Sequence, residues 1–193
     1  MTPDLILNGR AAVSFQPWLR SRLRSALPHL PKHLLREVVV TLVGDASMSA
    51  LHLQSHGDPS PTDVLTYEID HDPRGRITEG QIVVCVPEAK RRVAARFRTP
   101  RKPHASDKMA AREEILLYAL HGLLHLCGHD DLTKAEFERM HALEDRILEN
   151  IGVGAVFARD GQPPSVWAEK RPAAPQRRVV SRPSRKPSRR SVR

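Results

Sequence analysis

Apolar and polar residues alternate with two different periods along this chain. In 63–70, DVLTYEID, the residues Val64, Thr66 and Glu68 fall on one side of an extended chain, with Leu65, Tyr67 and Ile69 on the other. That is the two-residue period of a strand. The β-branched run EVVVTLVG at 37–44 closes on a glycine and predicts a buried strand. GQIVVCV at 80–86 predicts another, and DLIL near the N-terminus a short one. Helical spacing fills the gaps. QPWLRSRLRSA, 16–26, puts Trp18, Leu19 and Leu23 inward and its arginines outward. DASMSALHLQSHG, 45–57, predicts a helix capped by Asp45 or Ser47 and closed near Gly57. Pro87 stands at the first helical position of PEAKRRVAARF. The strip RFRTPRKPHASDK, 96–108, is basic and broken by prolines, and predicts a loop.

Two helices complete the pattern. AREEILLYALHGLLHLCG, 111–128, is apolar nearly all round, which makes it central rather than peripheral, and Gly128 ends it. The segment 133–152 opens with Thr133 and Glu136, a capping box. It then runs an inward stripe through Phe137, Met140, Leu143 or Glu144, Ile147 and Ile151. His141 is off that stripe and is expected at the surface, and His104 in the basic strip says nothing by itself. Strands and helices in this order predict an α/β or α+β layered domain.

Charge divides the chain unevenly. Residues 1–158 hold 20 Lys+Arg and 20 Asp+Glu, whereas 159–193 hold 11 basic residues against Asp160 and Glu169. The formal +9 therefore belongs to the C-terminal stretch, which is rich in Pro, Ser and Arg and has little besides Val166 and Trp167 to bury. We expect one domain over 1–155 and a disordered basic tail over 156–193, the tail being either a polycation attracted to RNA without regard to sequence or a solubilising extension. The two cysteines, Cys85 and Cys127, are too few for a disulfide framework and read as reduced thiols in a cytoplasmic protein. The N-terminus does not read as a secretory signal, and no apolar run approaches the roughly 20 residues that span a bilayer, so no membrane partner is expected.

The chemistry concentrates in HGLLHLCGHDDL, 121–132. His121 and His125 are one helical turn apart and project from one face, so both imidazoles can reach a single ion. Buried imidazoles need hydrogen-bond partners or a metal. Zincin metalloproteases place a glutamate after the first histidine; here the position is Gly122, which argues against peptide hydrolysis by that route. Gly122 also costs roughly 1 kcal/mol against alanine in a helix, a cost acceptable if something approaches the backbone closely there. Counting as in the longer metzincin pattern, the third ligand is Asp131. Three protein ligands leave a coordination position open, the arrangement of catalytic zinc. His129 is a weaker candidate, for a substrate contact or support of a ligand. Asp130 either orients a ligand histidine or caps the turn, and Cys127 is expected to face away into the core.

These residues carry a resemblance. His121, Gly122, Leu124, His125, Leu126, Gly128 and Asp130 match H-G-x-L-H-L-x-G-Y-D-H, the signature of the YbeY family of bacterial endoribonucleases for rRNA maturation. His129 stands where that family has tyrosine, and Asp131 where it has a third histidine. PTDVLTY, 61–67, resembles the family's P-T-D/N-V-L-S-F, and EGQIVVCV, 79–86, approximates L-G-D-I-x-I-S. His52 and His56 occupy the places of an asparagine and an arginine. The resemblance spans residues 4–150.

The resemblance implies an α+β fold: a small mixed, mostly parallel sheet flanked by helices, with a buried central helix carrying the histidines. It implies one Zn2+ held by His121, His125 and Asp131, and zinc-dependent cleavage of single-stranded RNA in rRNA maturation and ribosome quality control. Ribosomal RNA and the ribosome, its small subunit above all, are the implied partners. His56, Thr62, Asp63 and His129 are the implied catalytic or substrate-contacting residues. His56 offers a positive charge only when protonated, a weaker device than arginine's permanent fork. Thr62 and Asp63 otherwise read as caps of a strand-entry turn. The basic run from Lys90 to Arg112, opposed only by Asp107, could guide a phosphate backbone toward the histidines or be a solvated face. His52, His56 and Asp131 keep open a second expectation, a non-catalytic RNA-binding ribosome assembly factor with a structural zinc.

Overall fold

β-Branched residues dominate the segments that become strands, and their alternation decides which face each side chain takes. The computed structural model describes residues 2–96 and 105–157. Four strands form one sheet: β1 (Asp4–Asn8), β2 (Glu37–Val43), β3 (Val64–His71) and β4 (Ile77–Cys85). Their order is β1-β2-β4-β3, with β1 parallel to β2, β2 parallel to β4, and β3 antiparallel to β4. The sheet is mixed and mostly parallel, as expected. The β3–β4 turn is held by Asp72, which accepts the Arg74 and Arg76 N–H groups on one oxygen and the Arg76 guanidinium on the other.

Five helices surround the sheet: α1 (Gln16–Ala26), α2 (Asp45–His56), α3 (Val86–Arg96), α4 (Ala105–Leu126) and α5 (Lys134–Asn150). The period of two in β4 separates two cores. Ile82 and Val84 join β1, β2, α1, α4 and α5 in the main cluster, while Val83 and Cys85 meet Met48 of α2 and Leu65 of β3 on the opposite face. The helix predicted to be central is so: α4 is buried without interruption from Glu114 to Leu124. The α5 helix begins with the predicted capping box, Thr133 and Glu136 each accepting the other's backbone N–H.

Several local expectations differ. The cap of α2 is Gly44, with no side-chain hydrogen bond, rather than Asp45 or Ser47. The Asp45 carboxylate is engaged instead by the Arg91 guanidinium of α3, at 2.7 and 2.9 Å. Residues 105–108, read as part of a loop, open α4; Asp107 lies in its first turn, where negative charge suits the helix's positive end. The rest of that loop from 97 to 104, with Arg98, Arg101, Lys102 and His104, lies outside the described residues. So does the tail from 158 onward. Val156 and Phe157, at the head of the expected tail, pack onto the domain: both backbone N–H groups donate to Asp145 of α5, and Val156 is buried.

Gly122 answers the question its position raised. A Cβ there would lie 2.7 Å from Ile82 Cγ2 and 2.9 Å from Thr66 Oγ1. The close neighbour is therefore the sheet itself, and the glycine lets α4 press onto β3 and β4.

Candidate metal centre

Polar residues recur along α4 at Glu114, Tyr118, His121 and His125, one stripe on a helix otherwise sunk in hydrocarbon. Tyr118 hydrogen-bonds Glu114, and its burial pushes the phenol far above its usual range. One turn further on, the histidine pair closes the stripe.

The end of α4 sets the geometry. Gly128 adopts φ +87°, a left-handed conformation that glycine accepts freely. Its N–H donates to the His125 carbonyl at 2.9 Å, and the His129 N–H reaches back to the Leu124 carbonyl at 3.0 Å. This pair of bonds is a Schellman motif. It folds the chain so that the His129 carbonyl accepts from His125 Nδ1 at 3.0 Å. Asp130 then accepts the Asp131 N–H on Oδ1 at 2.8 Å and so caps the turn. The Asp131 carboxylate is thereby brought to the histidines: a donor atom of each of His121, His125 and Asp131 lies within 4.8 Å of the others.

Both rings have their Nδ1 occupied. His121 Nδ1 donates to Glu144 Oε1 of α5 at 2.7 Å, and His125 Nδ1 donates to the His129 carbonyl. A neutral ring with its proton on Nδ1 presents a lone pair at Nε2. The two Nε2 atoms face each other at 3.0 Å, with the rings edge to face. Facing lone pairs repel, so a proton or a cation belongs between them. Ligand atoms about 2.0–2.1 Å from a tetrahedral ion stand roughly 3.3 Å apart, close to this separation. Two imidazoles and a carboxylate also match zinc's donor preferences. The residues fit the ion.

Electrostatics agrees with a shared charge. Burial works against the charged form of His121, but the Glu144 hydrogen bond and the charges of Glu144, Asp131 and Asp63 outweigh it and hold the pKa above its ordinary value. Burial and the neighbouring His121 hold His125 below its ordinary value despite Asp131. Burial opposes ionisation of Glu144 as well, and its hydrogen bonds to His121 and His141 overcome this and hold it down. Burial raises Asp63, against the pull of His121.

The remaining candidates stand at different distances from this point. Asp63 is within electrostatic reach of His121, and its Oδ1 accepts from Thr62 Oγ1 at 3.0 Å and from the Val64 N–H at 2.9 Å. Thr62 thus meets the site through Asp63. His129 contributes its carbonyl. His56 is exposed at the end of α2, where Ser55 Oγ lies 2.8 Å from its Nδ1 and the His52 ring 5.2 Å away. Its pKa is lowered by burial and by His52. Cys127 packs against the core, and burial pushes its thiol up to about 12. Of the basic run, Arg91 is committed to Asp45 and Glu88, and Arg112 lies over the Phe15 ring at 5.6 Å.

Two residues escaped the sequence reading. His141, expected at the surface, is buried, with its Nδ1 2.5 Å from Glu144 Oε2 and its ring stacked 3.6 Å from Phe157. Glu144 is wholly buried and carries both histidines on its carboxylate. The inward stripe of α5 already left Glu144 as an alternative to Leu143. A carboxylate at an inward position requires a partner, and His141 lies one turn before it.

A central helix that ends in two converging imidazoles and a carboxylate, set against a small mixed sheet, makes this chain a candidate metal-binding α+β protein. Residues 10–152 match the family described as Endoribonuclease YbeY, and the chain belongs to that family. It is similar to the endoribonuclease YbeY of Persephonella marina, 36% identical over 119 residues, 60% of this chain and 70% of the relative. It is also similar to that of Kineococcus radiotolerans, 32% identical over 158 residues, 78% of this chain and 84% of the relative. The solution structure of a Thermotoga maritima protein shares the fold at 21% identity and a TM-score of 0.50, covering 86% of this chain and 99% of that one.

Proposed function

We propose that this chain is a zinc-dependent endoribonuclease that cuts single-stranded RNA in rRNA maturation and ribosome quality control. Family membership supports the endoribonuclease reading. The observation that carries the metal is the Nε2 pair of His121 and His125, 3.0 Å apart with both Nδ1 atoms already bonded. His121, His125 and Asp131 hold the ion, one per chain. When bound, zinc supplies positive charge to the scissile phosphodiester and to the oxygen that attacks it.

The chain's own residues perform the rest. Glu144 and the His129 carbonyl fix the tautomers that aim both Nε2 lone pairs at one point. Asp131 adds one negative charge, where a third histidine would add none. Asp63, held by Thr62, faces the same centre and offsets the positive charge beside His121. His56 stands where the family resemblance places an arginine. With its pKa lowered, it serves at neutral pH as a hydrogen-bonding group rather than a fixed cation. The folded domain through Phe157 does the chemistry, and the basic tail beyond it adds salt-sensitive affinity for ribosomal RNA and the small subunit. No helix among the described residues is long and apolar enough to cross a membrane, and the proposed workplace is the cytoplasm.

The second reading, an RNA-binding assembly factor with a structural zinc, is favoured by one feature: the exposed His56 in place of a permanent cation. The two separate on one experiment. Zinc-loaded protein is incubated with an unstructured RNA and with DNA of the same sequence. Cleavage of RNA alone, lost in His125→Ala, supports the nuclease. RNA binding without cleavage by the metal-loaded protein overturns it in favour of the assembly factor.

A further inference from the structure

Glu144 and His141 lie beyond the three residues that would hold the ion, yet Glu144 is the most deeply buried polar residue of the site and His141 is as buried as His121. Glu144 presents Oε1 to His121 Nδ1 and Oε2 to His141 Nδ1. The carboxylate is wholly buried, and both rings are nearly so. His141 is clamped in turn: its ring stacks on Phe157 at 3.6 Å with planes 5° apart, and meets Phe137 edge-on at 4.2 Å. Phe137 follows the α5 capping box, and Phe157 is tethered by the bond from its N–H to Asp145. Two helices and the segment after α5 therefore determine where one carboxylate points.

The arrangement has a cost that packing alone would avoid. Among the described residues, His141 Nε2 is buried with no hydrogen-bond partner. A phenylalanine would fill the same aromatic slot and strand no ring nitrogen, but it would leave Glu144 Oε2 without its donor. The return is the other ring nitrogen. By occupying Oε2, His141 holds the carboxylate in the one orientation that offers Oε1 to His121. We infer that Glu144 and His141 form a buried positioning relay for the metal centre, in which His141 orients Glu144 and Glu144 fixes the tautomer and direction of His121. The inference rests on the metal-site reading above. It extends that site across α5 to residues that touch neither ion nor RNA.

The test is a zinc titration of metal-stripped full-length protein against a chelating indicator, beside denaturant unfolding of the same samples in chelator. Six proteins are compared: wild type, Glu144→Gln, Glu144→Leu, His141→Phe, the Glu144→Leu/His141→Phe double variant and Asp131→Ala. Glu144→Leu removes the acceptor from His121 and should weaken zinc binding about 10–100-fold, the usual range for lost support of a ligand histidine. Glu144→Gln keeps an acceptor without the charge and should fall between Glu144→Leu and wild type. His141→Phe keeps the aromatic stack but leaves Glu144 Oε2 without its donor, so zinc binding should weaken several-fold, whereas the same change in the Glu144→Leu background, with no carboxylate left to orient, should leave zinc affinity where it was. That dependence on Glu144 is what a packing role would not produce. Wild-type affinity in His141→Phe and Glu144→Gln would overturn the relay and leave the metal site standing. Abolished binding in His141→Phe, with Asp131→Ala unaffected, would place the ion among His121, Glu144 and His141, which overturns the positioning role. A wild-type protein that takes up no zinc would remove the metal-site reading and the relay with it.

Discussion

His121 and His125 point their Nε2 atoms at each other across 3.0 Å, and each donates its Nδ1–H in a hydrogen bond to another acceptor. Two bare nitrogens held that close by a buried helix demand a positive charge between them. The charge requirement is a property of the helix end: α4 delivers both rings, the Schellman turn at Gly128 delivers the His129 carbonyl, and α5 delivers Glu144.

Asp131 is the place where the chain departs from the family signature within the donor set. Asp131→Ala is expected to lose most zinc affinity. Asp131→His restores a neutral third donor and should bind zinc again, with a site one negative charge poorer. Zinc affinity of the three proteins, measured with one indicator, checks this. Equal affinity in wild type and Asp131→Ala means the third donor lies elsewhere.

Gly122→Ala tests how tightly α4 sits on the sheet. Helix propensity alone favours alanine by roughly 1 kcal/mol. The added methyl would stand 2.7 Å from Ile82 Cγ2, and overpacking costs about 1–3 kcal/mol. Overpacking should win, lowering the denaturant midpoint with an unchanged slope. A gain in stability would mean that the sheet yields easily and that Gly122 has another reason to be there.

The two thiols give a pH signature. Burial pushes Cys85 up to about 11 and Cys127 up to about 12, from 9.0 for an ordinary thiol. Both pKa values are raised for groups that are neutral when protonated, so the unfolded chain loses these protons first. Their contribution is intact below pH 9.0 and is lost as pH climbs toward 11 and 12. Native protein at pH 8 should therefore react slowly with a thiol reagent at both cysteines and quickly once denatured. Cys127→Ser should hold as much zinc as wild type. Fast reaction of native Cys127, or zinc loss in Cys127→Ser, would put that thiol in the site.

The order of strands and helices was readable because each obeys its own period. The segment 63–70 corresponds to β3 and the apolar run of 111–128 supplies the buried part of α4, although Ile69, at the register shift of β3, is exposed and α4 begins earlier, at Ala105. That His121, His125 and Asp131 come together was readable because helical spacing and a glycine stop are local facts. What escaped depends on contacts distant in sequence. The cap of α2 is Gly44, and the Asp45 carboxylate is held instead by Arg91, 46 residues away. His141 looked like a surface residue because its neighbours Phe157 and His121 come from other segments. Glu144 was visible only as a charge on an inward stripe, and its partner His121 is 23 residues back.

Salt should separate the proposed tail from the proposed active domain. Truncation after Phe157 removes 11 basic residues and leaves the metal donors in place. Binding to unstructured RNA should weaken, and its dependence on salt should flatten, since fewer counterions are released. Zinc content should not change. An unchanged salt slope would show that the tail does not touch RNA.

The most direct test counts zinc in protein purified without added metal, for wild type and for His125→Ala side by side. The account predicts close to one zinc per wild-type chain and almost none in the variant, with both proteins folded by circular dichroism. Zinc-free wild type, or a His125→Ala protein that retains the ion in full, would contradict it.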